Sequence, residues 1–264
     1  MKYAVVANPE KKDCVEFAIK IADEIGAVIE ERTAKKAGRI GVPLDEIVAD
    51  VIITVGGDGT ILITLQHAKG RILGVNMGVL GFLTEIEPSE IKEAIEKIET
   101  GKYIIDRRMK IDVYHNDVKI GECVNEAVIH TSDIAKLRNY RVFFNDELMD
   151  EVRADGIIIS TPTGSTSYAL SAGGTIIHPS VEGLMVVPIA PFKYTIRSVV
   201  FPVGVIKVET MGHRNNVLVL DGQKYVDLSP GDMVRIKKSE NYAEFIRFST
   251  SVFRRIKNRA MLGR

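Results

Sequence analysis

"VIITVGGDGTILITLQHA", residues 51–68, decides how the chain folds. The β-branched run Val51–Val55 reads as a buried strand, and "TILITLQHA" predicts the next helix. Between them stand Gly56, Gly57, Asp58 and Gly59. Three glycines at a strand end mean backbone that turns sharply or lets a ligand come close. No Gly-Lys-Ser/Thr follows, which excludes a lysine-bearing phosphate loop, and the spacing is not that of a dinucleotide fingerprint. The glycines let backbone N–H groups point at an anion, the following helix adds a favourable dipole, and Thr60 is placed to cap that helix. On these residues alone, an ordinary tight strand-to-helix turn explains the loop as well. The anomaly is Asp58, because a carboxylate repels phosphate and makes sense there only beside a metal ion or a hydroxyl.

Outward from this loop the two periods alternate. "YAVVA" (3–7) reads as a strand. "CVEFAIKIADEIG" (14–26) places Val15, Ala18, Ile19 and Ala22 at helical spacing and ends at Gly26. "AVIEE" (27–31) predicts a short strand, "LDEIVA" (44–49) a helix and "RILGVN" (71–76) a strand. "SEIKEAIEKIETG" (89–101) predicts a helix capped by Ser89, with Gly101 beyond its end. Strands alternating with helices specify a parallel sheet with helices on its faces, and ligands of such sheets bind at the carboxyl ends of the strands. The glycine loop sits at such an end.

After about residue 105 the rhythm changes. "MKIDVYHNDVKIGECV" (109–124) reads as two strands around a His-Asn-Asp turn, and "YRVFFNDELMDEV" (140–152) repeats the pattern at Asn145 and Asp146. "GIIIS", "LMVVPIA", "VIKVET", "NVLVLDG" and "YVDLSPGDMVRIKKS" are further β-rich runs. The expected architecture is an α/β N-terminal domain over 1–105 and an all-β, sandwich-like C-terminal domain over 106–249. A closing helix in "SVFRRIKNRAMLG" would return residues 250–264 to the first domain. "LMVVPIA" and "VIKVET" are expected to supply subunit contacts as well as core.

The 264 residues carry 35 basic and 35 acidic side chains, so no bulk field draws the protein to nucleic acid or to an anionic membrane. The basic ending "FRRIKNRAMLGR" reads as a solvated helix or tail. No apolar run approaches the roughly 20 residues of a membrane span. Cys14 and Cys123 lack metal-type spacing, and two isolated thiols suit a reducing compartment, so a cytoplasmic location is expected.

Two further stretches carry chemistry. "CVNEAVIH" (123–130) sets Asn125 and Glu126 in an apolar strand context, where an amide and a carboxylate can grip a base edge and ribose hydroxyls. A β-bulge or turn with exposed polar residues is the alternative. "RADGIIISTPTGSTSYALSAGG" (153–174) is crowded with glycines and hydroxyls, and Tyr168 adds a flat face for stacking on a base. A hydroxyl-rich loop packed on the sheet is the alternative there.

In this order and spacing, "GGDGT" (56–60), "NE" (125–126) and "DGIIISTPTGSTSYALSAGG" (155–174) resemble the NAD kinase family over nearly the whole chain. The resemblance implies transfer of the γ-phosphoryl of ATP, or of polyphosphate in some members, to the 2′-hydroxyl of the adenosine ribose of NAD. By motif match, Asp58 is the proton acceptor with Gly59 as its binding neighbour, and Asn125 and Glu126 hold the adenosine ribose and adenine. Arg153 and Asp155 flank the nicotinamide half, with a neighbouring subunit as one possible source. Thr166, Ser167, Tyr168, Ala169, Leu170 and Ser171 line the adenine pocket. Lys136, Ala190 and Gln223 match weaker family positions, and Ile63 stands where relatives often carry a basic residue. Without a loop lysine, a divalent ion, Mg²⁺ by preference, is needed to neutralise the phosphates. A homo-oligomer is implied, a tetramer before a dimer. "GGDGT" also resembles the loops of lipid and sugar kinases, which would lack the other two motifs. A non-catalytic NAD-binding sensor is the alternative of a different class.

Overall fold

The computed structural model describes residues 1–78, 81–193 and 197–249. Its chain divides between Arg107 and Arg108, and from Ala243 it returns to the first unit. The first unit holds β1 (Tyr3–Ala7), α1 (Lys12–Ile25), β2 (Val28–Ile29), α2 (Glu31–Lys36), β3 (Val48–Gly56), α3 (Asp58–His67), β4 (Lys69–Asn76) and α4 (Ile91–Glu99). β1 pairs in parallel with β2 and β3, and β3 with β4 in the register Ile52↔Ile72 to Gly56↔Asn76. The returning chain adds Phe245 beside Ile72, again parallel.

Helix α1 buries Val15, Ala18 and Ala22 as the 3.6-residue period requires, with Cys14 and Ile21, and it ends at Gly26 in the left-handed region (φ 66°). That stripe and Ile91, Ala94 and Ile98 of α4 form one core with Val5, Ile53, Val55 and Leu73 of the sheet. The other face of β4 meets α3, and a Cβ added at Gly74 would lie 2.8 Å from Ile61 Cδ1. Helices therefore cover both faces, as a parallel sheet demands.

Three local expectations are corrected. "LDEIVA" forms only a 3₁₀ turn at Leu44–Glu46, because Ile47 is already extended and the β-branched Val48 opens β3. Helix α2, not anticipated, starts where the Glu30 carboxylate accepts the Arg32 and Thr33 N–H groups, both at 2.8 Å, and it ends on Lys35 and Lys36. Ser89 is not a cap: it lies in a 3₁₀ turn, Pro88–Glu90, where Glu90 reaches back to the Glu87 N–H at 2.8 Å.

The second unit is built from β5 (Ile104–His115, which starts just before the division), β6 (Val118–Cys123), β7 (Glu126–Thr131), β8 (Arg138–Phe144), β9 (Glu147–Ala154), β10 (Gly156–Ser160), α5 (Tyr168–Ser171), β11 (Gly183–Ile189), β12 (Val199–Pro202), β13 (Val205–Met211), β14 (Asn216–Leu220), β15 (Lys224–Leu228) and β16 (Met233–Arg247, which ends in the first unit). The turns at Asn116-Asp117 and Asn145-Asp146 have φ between 45° and 69°, the primed-turn geometry that closes hairpins. One antiparallel sheet has the order β12-β11-β10-β7-β14-β15, and β13 pairs antiparallel with both β8 and β16. Alternate residues of both sheets, among them Ile157, Leu184, Leu218, Val142, Val208 and Ile236, share one buried cluster, which makes the unit a sandwich.

The outer face of the six-stranded sheet is also covered: Ala169 and Ile177 pack on Ile158, Met185 and Val187. Burial on both faces explains why "GIIIS" and "LMVVPI" are continuous apolar runs. "LMVVPI" is thus used up inside one chain. β13 turns Lys207 and Glu209 the other way, where they pair with Asp146 and Arg141. Neither strand offers the free apolar face expected of a subunit contact. The expected closing helix at 251–263 lies outside the described residues.

Candidate active site

Strands β3 and β4 end side by side at Gly56 and Asn76, on the carboxyl edge of the parallel sheet. From β3 the chain passes through extended Gly57 into α3, so Asp58 takes the first helical position. Thr60, expected as a cap, lies inside the helix, where its carbonyl accepts the Thr64 hydroxyl at 2.7 Å. Asp58 reaches across to the chain leaving β4: Oδ2 accepts the Phe82 N–H at 2.9 Å and Oδ1 the Leu83 N–H at 3.1 Å. Gly81 makes room for this, since a Cβ there would overlap the Asp58 carboxylate. The Leu83 and Thr84 carbonyls are held in turn by Arg247 Nη1 at 2.8 and 3.3 Å, and that fully buried guanidinium also pairs with Glu85 and Asp106.

Gly57 and Gly59 differ from Gly81. A Cβ at either would meet nothing within 4 Å. Internal packing gives no reason for glycine there, whereas close approach of a ligand to the first turn of a helix does.

The second cluster belongs to the other unit. Asn125 sits in the bend between β6 and β7, and Glu126 opens β7 opposite Ser160. Their backbone is fixed from two sides. Asp221, in the β14–β15 turn, accepts the Val124 N–H on Oδ2 at 2.8 Å and the Asn125 and Glu126 N–H groups on Oδ1 at 2.8 and 3.0 Å. Opposite, the Asn125 carbonyl accepts the Thr161 N–H at 2.8 Å, and a Cβ at Gly164 would overlap that carbonyl. The Glu126 side chain is buried. Its Oε1 accepts the Ser167 hydroxyl at 3.3 Å, and its Oε2 has no partner among the described residues. Burial above all, then the nearby Asp221 charge, pushes the Glu126 carboxyl up to about 8, against the pull of the Ser167 bond. Asp221 is raised to about 6, because burial outweighs its three backbone N–H bonds and the Lys110 charge.

Several hydroxyls singled out by the sequence are spent on folding. Thr161 bonds the Val124 carbonyl at 2.5 Å, Ser165 the Pro162 carbonyl at 2.6 Å and Thr166 the Thr163 carbonyl at 3.2 Å. Ala169 is core. Ser167 touches Glu126, while Tyr168 and Leu170 remain exposed at 41% and 40%, with Ser171 beside them. Asn125, Glu126, Ser167 and the turn bearing Gln223 are thus brought together, Asp221 N–H reaching the Glu126 carbonyl at 3.0 Å.

Arg153, Asp155 and Ala190 are elsewhere. The β7–β10 ladder runs from Glu126↔Ser160 to His130↔Gly156, and these three residues stand at its far end. There Asp155 N–H bonds the Ile189 carbonyl at 3.0 Å, Ala190 is left-handed (φ 44°) and Arg153 lies 5.1 Å over the exposed Phe192 ring. Lys136 is in the β7–β8 loop, where its carbonyl accepts Arg138 Nη1 at 2.8 Å. Gly81, Asp221 and Arg247 were missed by the sequence reading. "LDG" signalled only a turn, and nothing local reveals a carboxylate that reaches back 95 to 97 residues.

Among the described residues, no cluster of three or more His, Cys, Asp or Glu side chains is arranged to hold a metal ion, and no helix is long and apolar enough to cross a membrane. The model of the ATP-NAD kinase N-terminal domain matches residues 27–103, and that of the ATP-NAD kinase C-terminal domain matches residues 124–248. The chain is 39% identical to an NAD kinase of Thermoplasma volcanium over 267 residues, covering 99% of this chain and 98% of that protein. It is 40% identical to an NAD kinase of Picrophilus torridus, covering 98% and 97%. The solved NAD kinase of Archaeoglobus fulgidus in complex with ATP superposes with a TM-score of 0.77 at 28% identity, over 98% of this chain and 99% of that one. Yeast NADH kinase with NADH shares the fold, with a TM-score of 0.91 at 21% identity over 99% and 87%.

Proposed function

The chain belongs to the NAD kinase family, and from that premise we propose how its residues move a phosphoryl group from ATP to NAD. The observation that carries the reading is Glu126: a buried carboxyl with one oxygen unpartnered among the described residues is costly unless a ligand completes it. Ribose hydroxyls supply the missing donors, and Asn125 beside it holds the base edge. Tyr168 and Leu170 offer exposed surface to the adenine, and Thr166, Ala169 and Ser171 shape the segment that carries them. Gln223 extends the same rim.

Asp58 accepts the proton of the 2′-hydroxyl. Its oxygens accept the Phe82 and Leu83 N–H groups, which hold the carboxylate at the first turn of α3. The deprotonated oxygen forms a bond to the γ-phosphorus while the bond from that phosphorus to the oxygen of the departing ADP breaks. Gly59 and Gly57 let phosphate oxygens reach the first-turn N–H groups of α3. A divalent ion, by preference Mg²⁺, would supply the charge neutralisation of the triphosphate that no loop lysine provides here.

Arg153 and Asp155 serve the nicotinamide half, with Ala190 at the same end of the ladder and Lys136 in the β7–β8 loop as weaker family positions. The span from Glu126 to His130 is about 13 Å along the strand at 3.3 Å per residue; by the family resemblance the chain forms a homo-oligomer, a tetramer before a dimer, in which Arg153 and Asp155 reach the dinucleotide of a neighbouring subunit. Light scattering that returned only the 29.2 kDa monomer over a wide concentration range would contradict this. Buried free thiols at Cys14 and Cys123 support a reducing, cytoplasmic setting. The deciding assay is incubation with NAD, ATP and Mg²⁺, with NADH, polyphosphate, a sugar and a diacylglycerol as alternative substrates. NADP is the expected product, and a phosphorylated sugar or lipid in its place would overturn the reading.

A further inference from the structure

The β14–β15 turn needs little from Asp221. Left-handed φ at Asp221 (48°) and Gly222 (68°) is what an Asp-Gly or Asn-Gly pair provides without any long-range bond. The carboxylate nevertheless accepts three N–H groups from a segment nearly a hundred residues earlier, and it does so buried, next to the second buried acid Glu126. Two acids in one dry region disfavour each other's charge. An asparagine could accept on one oxygen only and would turn its N–H₂ toward the Val124 N–H, so tying all three donors takes a carboxylate, and that carboxylate places a charge beside Glu126.

We propose that Asp221 is a positioning residue of the NAD clamp: it fixes the Val124–Glu126 backbone that presents Asn125 and Glu126, and its charge beside Glu126 links NAD binding to loss of a proton. This rests on the NAD reading above. In the free protein near neutral pH, Glu126 holds its proton, since burial and Asp221 both raise it. Ribose hydroxyls donate best to the carboxylate, and bonds to the charged form favour it, so binding expels that proton. Among the described residues, the groups acting on Glu126 and Asp221 are few. Ser167 donates to Glu126, Lys110 of β5 favours the Asp221 charge while paired with Glu122 at 2.6 Å, and the Cys123 thiol is pushed well above its ordinary range by burial.

The test is calorimetric titration of NAD into the full chain from pH 6 to 9, for the wild type, Asp221→Asn and Glu126→Gln. Asparagine keeps an oxygen for the Asn125 and Glu126 N–H groups and removes the charge. Wild-type affinity should rise with pH and level off above about 8. In Asp221→Asn the rise should move to lower pH by at least half a unit, roughly a threefold difference in affinity on the slope. In Glu126→Gln the profile should be flat. Asp221→Asn that kept the wild-type profile would overturn the proposal, as would a wild-type profile that persisted in Glu126→Gln. If Asp221→Asn fails to fold, wild-type titrations at pH 7 in two buffers of different ionisation heat decide: proton release supports the proposal and its absence overturns it. A folded wild-type protein that bound no NAD at any pH would instead refute the NAD reading itself.

Discussion

Asp58 and Glu126 are both acids at strand ends, and their surroundings treat them in opposite ways. Asp58 rests on the Phe82 and Leu83 N–H groups, so its charge helps to hold two loops of the first unit together. Glu126 is buried and, among the described residues, has one hydroxyl partner and an oxygen with none. One carboxylate is stabilised by the fold, and the other is held at a cost that only a ligand offsets. The difference separates a residue whose removal should damage both structure and chemistry from one whose removal should damage binding while relieving strain.

The sharpest way to break this comparison is Asp58→Ala, which removes the proton acceptor and both loop ties. Single-turnover phosphoryl transfer should fall by about 10²–10⁴ from loss of the base alone, with a lowered unfolding temperature. An undiminished unfolding temperature would show that the loop does not lean on Asp58. Gly81→Ala attacks the same contact from the other side. The added methyl displaces the Asp58 carboxylate, and a misplaced catalytic group costs on the order of 10²-fold in rate. NAD affinity should stay within a few-fold, and steady-state kinetics with kcat unchanged would separate Gly81 from the chemistry.

Glu126→Gln probes the opposite case. Loss of charged hydrogen bonds, about 1.5–3 kcal/mol each, should weaken NAD binding at least tenfold. Stability should move the other way as pH rises. The folded value of about 8 lies above the ordinary 4.5, so the wild type carries its full stability below pH 4.5, loses it progressively as pH rises toward 8, and loses no more above that. The glutamine variant does not titrate, so it should gain on the wild type across that window. Denaturant midpoints that move in parallel at pH 5 and pH 9 would mean that Glu126 is not a strained acid. The smallest expected effect is that of Tyr168→Ala. An exposed ring stacked on one face of a base contributes about 1 kcal/mol, so NAD affinity should fall by less than tenfold with the rate nearly unchanged; an unaltered dissociation constant would remove Tyr168 from the adenine pocket.

How much of this was legible in the sequence follows from the range of each interaction. The alternation of "YAVVA" and "CVEFAIKIADEIG", the Asn-Asp hairpin turns and the glycine loop after β3 are local signals, and each appears in the structure. "LDEIVA" was misread because its helical pattern is short and the parallel ladder claims Val48. α2 was overlooked because its start depends on the Glu30 side chain rather than on an apolar period. Thr60 and Ser89 look like caps by residue type, yet Gly57 and the Glu87–Glu90 contact begin those turns. In the site, Asp58 and Glu126 stood out as acids in unlikely places. Gly81, Asp221 and Arg247 act through contacts that span 23 to 164 residues, where no local pattern points. The same distance hid the fact that Thr161, Ser165 and Thr166 bond the protein itself.

The central claim, that Asp58 takes the proton while the Glu126 cluster holds the dinucleotide, is tested most directly by one paired measurement on Asp58→Asn. Single-turnover formation of NADP from NAD and Mg²⁺-ATP is followed beside equilibrium NAD binding. Asparagine keeps the shape but turns an N–H₂ toward one backbone donor, so a modest loss of stability, about 1–3 kcal/mol, is expected. The account predicts a rate at least about 10²-fold below the wild type with NAD affinity within a few-fold. A folded Asp58→Asn protein that made NADP within a few-fold of the wild-type rate would contradict it and leave the loop as a phosphate cradle alone.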